Sequence, residues 1–156
     1  MASFTKYKCE FYTANSTGKY RIRIVKRGTA SGGEFTDREF KCTSEGFVLQ
    51  MDGRDDDILS PIKTTSCTFN FIIEDADGQA IIDHVAASSE KDYIIIIDRR
   101  DAADSAWSMY WTGVMLGDLA VIEDTSPNRI VTIKAVDGLA QLKYKNFDSG
   151  VNGYTG

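Results

Sequence analysis

Hydrophobic and polar residues alternate along much of the chain, which is the pattern of strands that bury one face. The clearest example is residues 20–26, YRIRIVK, where apolar side chains recur at every second position. Residues 4–13 alternate in the same way, and a polar stretch that includes Gly18 separates the two segments. We therefore predict a β-hairpin over residues 4–26.

Further segments rich in β-branched and aromatic residues predict additional strands. Residues 34–43 and 46–51 are predicted to pair across a tight turn at Ser44, Glu45 and Gly46. The isoleucine run within residues 92–98 predicts a strand that is buried on both faces. The remaining strands are predicted at 65–74, 107–116 and 129–136.

One longer segment has helical spacing instead. Apolar residues recur at helical intervals near residues 78–88, and either Asp75 or Asp77 is a suitable N-cap. A shorter helix is predicted to begin at Asp137. The predicted fold is mainly β, a sandwich or barrel of about eight strands with one α-helix near 78–88.

The length of 156 residues fits one domain. We predict a single β-rich domain over residues 1–145. Residues 146–156, NFDSGVNGYTG, are polar and glycine-rich, which predicts a flexible tail or linker.

The net charge of -5 argues against sequence-specific nucleic-acid binding, because neutralising phosphates requires clustered lysine and arginine. No apolar run approaches the roughly 20 residues that span a bilayer, so no membrane partner is expected. The N-terminus lacks the apolar region of a signal peptide, which predicts synthesis in a cytoplasm. The three cysteines are widely spaced along predicted strands and are expected to be buried free thiols.

Residues with catalytic potential are sparse. The single histidine, His84, lies in the predicted helix, and no nucleophile elbow, P-loop, dinucleotide-binding loop or zinc-protease motif is present. The sequence therefore predicts a non-enzymatic protein without a cofactor.

An acidic stretch, MDGRDDDILSPI at residues 51–62, is the strongest candidate for a metal site. Its carboxylates Asp52, Asp55, Asp56 and Asp57 are oxygen ligands of the kind that calcium prefers. The spacing does not match an EF-hand loop, which leaves them weak candidates for metal ligands. A turn is the simpler interpretation, since aspartate side chains bond to nearby backbone N–H groups.

Four short motifs follow one another along the chain. They are DDxILSPI at 55–62, SCTF at 66–69, YWTG at 110–113 and DGLAQL at 137–142. This series resembles the N-terminal region of large structural proteins of tailed bacteriophages, often described as tail, hub or baseplate proteins. Members of that family are usually longer, so the resemblance implies a fragment or a minimal version of the module.

The resemblance implies a virion structural module of a tail hub or baseplate, assembled in the host cytoplasm. Its expected partners are copies of itself, in a ring-forming trimer or hexamer, and other tail proteins. The edge strand at residues 4–13 is expected to pair across subunits.

Structural or interface roles are expected for residues along this series. Asp55, Asp56 and Asp57 would form a turn that keeps a sheet corner solvated or meets a basic patch on a neighbouring subunit. Pro61 would begin the next strand, because it fixes φ and biases Ser60 to extended backbone.

Two further motifs are predicted to serve packing. Trp111 and Gly113 share a strand face, so the glycine leaves room for the indole ring or for a close backbone approach. Asp137 and Gly138 are predicted to end a strand in a tight turn, with Leu139 capping the core.

A second function remains open from the sequence alone. Trp107 and Trp111 are four residues apart and would share a face, which predicts core packing if they are buried. If they are exposed, a β-sandwich module that binds carbohydrate or a receptor is the alternative. The stacking platform would comprise Trp107, Tyr110, Trp111 and Tyr154.

Overall fold

The computed structural model describes residues 3–12, 18–27, 38–52, 64–74, 76–86, 92–101, 106–123 and 129–139. These residues form eight strands and one helix. In chain order they are β1 (Ser3–Tyr12), β2 (Gly18–Arg27), β3 (Arg38–Glu39), β4 (Lys41–Asp52), β5 (Thr64–Ile73), α1 (Ala76–Ala86), β6 (Tyr93–Asp101), β7 (Ser108–Glu123) and β8 (Arg129–Val136).

All the strands belong to one sheet, in the order β3-β1-β2-β6-β7-β8-β5-β4. Every neighbouring pair is antiparallel except β1 and β3, which are parallel. The sheet curls into a nearly closed barrel, so the predicted mainly β class with one helix is confirmed.

The seam of the barrel, where β1 approaches β4, is bridged by one continuous piece of chain. In β3, Glu39 lies opposite Lys8 of β1, and the next residue, Phe40, donates its backbone N–H to the Lys8 carbonyl at 3.0 Å. Lys41 then pairs with Ile72 at the other edge of the sheet. Crossing from one edge to the other within three residues brings the edges together.

The barrel interior is filled by every second side chain of the strands. Ile22, Ile95, Phe71 and Ile133 are among these inward-facing core residues. The helix α1 adds Ile81 to the same core. Burying one face of each strand is the main source of stability for such a sheet.

Most predicted elements are confirmed, including the hairpin of β1 and β2 and the helix α1. The strand predicted at 129–136 matches β8 in both bounds. β7 is longer than predicted and ends at Glu123. The predicted tail at 146–156 lies outside the described residues.

The hairpin predicted from residues 34–43 and 46–51 is wrong, since β4 runs without reversal through Gly46. The pairing of β4 with β5 shifts between Cys42 and Phe47, so extra residues bulge there. Gly46 has φ of 64° and lies against the Phe11 ring. Gly46 therefore forms part of a bulge. The bulge requires a left-handed backbone and has no room for a β-carbon, and glycine satisfies both conditions.

Burial of the isoleucine run on both faces is also wrong. Ile95 and Ile97 are fully buried, whereas Ile94 and Ile96 are only half-buried. The barrel has a single layer, so only the inner face of β6, with Ile95 and Ile97, is covered. The outer face, with Ile94 and Ile96, stays partly open to solvent. Among the described residues, no helix is long and apolar enough to cross a bilayer.

Candidate functional site

The outer face of β2 and β6 carries a charged cluster around Asp98. Asp98 is only 3% exposed, although it follows Ile97 and therefore points away from the barrel interior. Its Oδ2 accepts hydrogen bonds from Arg21 Nε at 3.0 Å and Arg21 Nη2 at 2.8 Å. Arg23 Nε donates to Oδ2 at 2.7 Å and Arg23 Nη2 donates to Oδ1 at 3.0 Å. Two guanidinium groups thus shield one carboxylate from water.

The indole ring of Trp107 extends this cluster. The guanidinium carbon of Arg21 lies 4.4 Å from the ring centroid and that of Arg100 lies 4.9 Å away. We call Arg21, Arg23, Asp98, Arg100 and Trp107 the outer arginine cluster. Its three guanidinium charges and one carboxylate leave two positive charges on a chain whose net charge is -5. Guanidinium groups beside an aromatic ring can hold an anionic group such as a carboxylate.

A bulge in β7 separates the two tryptophans. Trp111 lies opposite Ile97, but Met109 lies opposite Asp98, so Tyr110 is an extra residue in β7. Trp107 consequently contacts the outer arginine cluster, whereas Trp111 packs against the core. The expectation that they share a face is wrong, because the bulge reverses the alternation between them.

Trp111 is fixed by a chain of hydrogen bonds that joins three strands. Its Nε1 donates to Thr65 Oγ1 at 2.9 Å, and that hydroxyl donates to Asp137 Oδ2 at 2.7 Å. The backbone N–H of Thr65 also donates to Oδ2 at 2.7 Å, while Asp137 donates its own N–H to the Thr65 carbonyl. The predicted residues Trp111, Gly113 and Asp137 therefore come together at a structural junction of β5, β7 and β8.

The residues that follow Asp137 do not cap the core. Leu139 is 46% exposed, so its expected packing role is wrong. An added β-carbon on Gly138 would meet no atom within 4 Å. Residues 138–139 have helical backbone, and the rest of the short helix predicted there lies outside the described residues.

The acidic stretch falls largely outside the described part of the chain. Asp52 ends β4 and pairs with Thr64. Asp55, Asp56, Asp57 and Pro61 lie outside the described residues, as does Tyr154 in the expected stacking platform. Within the described residues no group of three or more His, Cys, Asp or Glu side chains is arranged to hold a metal ion.

Sequence reasoning missed the outer arginine cluster. The available signal was the pair of arginines two positions apart in β2, which places both side chains on one strand face. Because two guanidinium groups on one strand face repel each other, an acidic residue is expected beside them on a neighbouring strand. Which strand supplies Asp98 depends on the pairing of β2 with β6, and local sequence does not specify that pairing.

The second half of β4 forms an edge of the sheet. Phe11 lies against Gly46, and β1 ends at the next residue, Tyr12, so β4 continues beyond β1. We call Phe47–Asp52 the β4 edge. Within the described residues it pairs only with β5, and it exposes Val48 by 46% and Met51 by 79%.

The edge of β1, by contrast, is partly covered. β3 pairs with Tyr7 and Lys8, and farther along β1 the Phe11 ring packs against Phe47 with centroids 5.9 Å apart. β3 therefore occupies part of the edge through which residues 4–13 are expected to pair across subunits.

Comparisons with protein-family models, with curated proteins and with solved structures find no match to this chain.

Proposed function

We propose that this chain is a non-enzymatic structural module of a bacteriophage tail hub or baseplate. In this proposal copies of the chain self-associate into a trimeric or hexameric ring and contact other tail proteins within the virion, after assembly in the host cytoplasm. The observation that carries the self-association is the β4 edge.

The β4 edge is suited to pairing with another chain. Unpaired backbone donors and acceptors along a strand favour addition of a further strand, and natural proteins usually protect such edges with charge or proline. Between Val48 and Met51 this edge carries no charged residue and no proline. Contact through Val48 and Met51 would also remove exposed apolar surface from water.

The geometry of the contact decides the symmetry. If the β4 edge pairs with the β4 edge of another copy, the contact is isologous and closes a dimer. If it pairs with a different surface of the neighbour, the contact is heterologous and can close a ring. The proposed tail module requires the second arrangement.

Native mass of the full chain across a concentration series tests the proposal. We expect a trimer or a hexamer, and Met51→Lys should shift the assembly toward monomer because it places a charge on the edge. Met109→Lys is the matched control, since Met109 is 67% exposed on β7, a strand that pairs with β6 and β8 and not with β4. A dimer would contradict the ring, and a monomer at every concentration would contradict self-association.

The outer arginine cluster favours a second candidate function, a module that binds carbohydrate or a receptor. Trp107 presents an aromatic ring beside two guanidinium groups, an arrangement that suits acidic sugars. Tryptophan fluorescence during titration with acidic and neutral glycans tests it. Trp107→Phe should abolish a response that Trp111→Phe preserves, because only Trp107 lies on the outer face; no response to any glycan would exclude this function.

A further inference from the structure

Two cysteines meet at the seam of the barrel. Cys9 lies on β1 and Cys42 lies on β4, and both side chains line the same cleft between these strands. The crossing of the chain from β3 to β4 produces this contact, since Phe40 is bonded to Lys8 beside Cys9. Both cysteines are free thiols.

The pair lines an open cleft. Its volume is about 600 Å³, and its walls include Phe40, Ile72 and Glu74 besides the two cysteines. Cys42 is half-buried, whereas Cys9 is only 5% exposed. A small reagent can therefore enter from solvent, while the sulfur of Cys9 remains shielded from bulky ones.

The proximity of the two side chains shifts the pKa values of their thiols in opposite directions. Donation by the Cys42 thiol lowers the pKa of Cys9 despite the opposing effect of burial, and donation by the Cys42 N–H adds to the lowering. The same thiol hydrogen bond, together with burial, raises the pKa of Cys42 far above its ordinary value. Because the thiolate is the nucleophilic form, Cys9 is the attacking residue of the pair.

We propose that Cys9 and Cys42 form a modification site at which a small hydroperoxide converts the two thiols to an intrachain disulfide across the barrel seam. The Cys9 thiolate attacks the terminal O–H oxygen of the hydroperoxide, the O–O bond breaks, and the leaving alkoxide or hydroxide takes a proton from solvent, which leaves a sulfenic acid on Cys9 and releases an alcohol or water. The Cys42 sulfur then attacks the Cys9 sulfur, the S–O bond breaks, and water leaves with the Cys42 proton. The two sulfurs lose two electrons and the peroxide gains them.

The disulfide would link β1 directly to β4, where side-chain packing and the Phe40 hydrogen bond otherwise hold the seam. A covalent link between strands distant in sequence restricts the unfolded chain and so stabilises the closed barrel. This inference concerns the chemistry of the fold and does not depend on the proposed tail function.

Cys67 provides an internal control. It is fully buried on β5, and burial raises its pKa to about 12. A reagent that reached all thiols indiscriminately would consume Cys67 as well.

The test treats the reduced full chain with hydrogen peroxide and counts thiols after unfolding. We expect the count to fall from three to one, a peptide map to join the Cys9 and Cys42 peptides, and the urea midpoint to rise until dithiothreitol restores the original value. A count that stays at three, a disulfide that includes Cys67, or covalent dimers would overturn the proposal.

Three variants assign the roles. Cys42→Ser should retain a sulfenic acid on Cys9, which dimedone traps, and Cys67→Ala should still lose both remaining thiols. Cys9→Ser should leave Cys42 and Cys67 unoxidised. The peptide map of the unmodified sequence remains decisive if a variant fails to fold.

Discussion

The indole ring of Trp111 covers Gly113, two residues along the same strand, so closely that a β-carbon on Gly113 would overlap the ring atom Cη2. The backbone oxygen of Val136 approaches the same point, at 2.6 Å from the position of that β-carbon. Gly113 is therefore enclosed by a ring on one strand and by the backbone of its neighbour β8. Its lack of a side chain lets Trp111 reach Thr65.

We expect Gly113→Ala to destabilise the fold by about 2–3 kcal/mol, because neither the ring nor the Val136 backbone can move without disturbing β7 or β8. Urea unfolding measures the loss. Gly138→Ala is the control and should be neutral or slightly stabilising, since a β-carbon there meets open space. Equal losses in the two variants would contradict the packing described for Trp111.

Removing the charge of Asp98 should lower the free energy of unfolding. Asp98→Asn leaves the guanidinium groups of Arg21 and Arg23 without their shared carboxylate, and we expect a loss of about 3 kcal/mol in the free energy of unfolding. Asp101→Asn is the matched control on the same strand, where Asp101 pairs with Arg99 but is exposed. That change should cost less than about 1 kcal/mol. Similar values for both variants in urea unfolding would show that the cluster contributes no more than a surface ion pair.

Two buried tyrosines should respond differently to loss of the hydroxyl. Tyr7 donates to the Ala80 carbonyl at 3.3 Å and so ties β1 to α1, whereas the Tyr93 hydroxyl has no hydrogen-bond partner among the described residues. Tyr7→Phe should cost about 1 kcal/mol, while Tyr93→Phe should be neutral or stabilising by up to about 1 kcal/mol. Thermal unfolding compares them directly, and a destabilised Tyr93→Phe variant would mean that its hydroxyl is bonded in solution.

The pattern of hydrophobic and polar residues predicts the strands and the helix, but it misplaces a turn and misses a bulge. Glycine after two polar residues is typical of hairpins and predicts a turn at Gly46, yet Gly46 lies in a bulge within β4. Regular alternation predicts both tryptophans on one face, and the single extra residue Tyr110 reverses that relation. Both errors arise where a strand departs from strict alternation, which depends on pairing with a distant partner.

The candidate sites divide in the same way. Trp111, Gly113 and Asp137 could be singled out from sequence, because a glycine two positions from a tryptophan leaves room for the ring and an aspartate followed by glycine is typical of a strand end. The outer arginine cluster and the β4 edge could not be, since each depends on which strands are neighbours. The contact of Cys9 with Cys42 likewise requires the sheet to close.

By itself, the sequence determined that this chain is mainly β with one helix, because alternation and helical spacing are local properties that decide which face of each element avoids water. Only the tertiary structure decided the strand order β3-β1-β2-β6-β7-β8-β5-β4, the seam between β1 and β4, and the burial of Asp98 beneath Arg21 and Arg23. These features join residues far apart in the chain. Their free energy comes from contacts that exist only once the whole sheet has curled, so no local pattern specifies them.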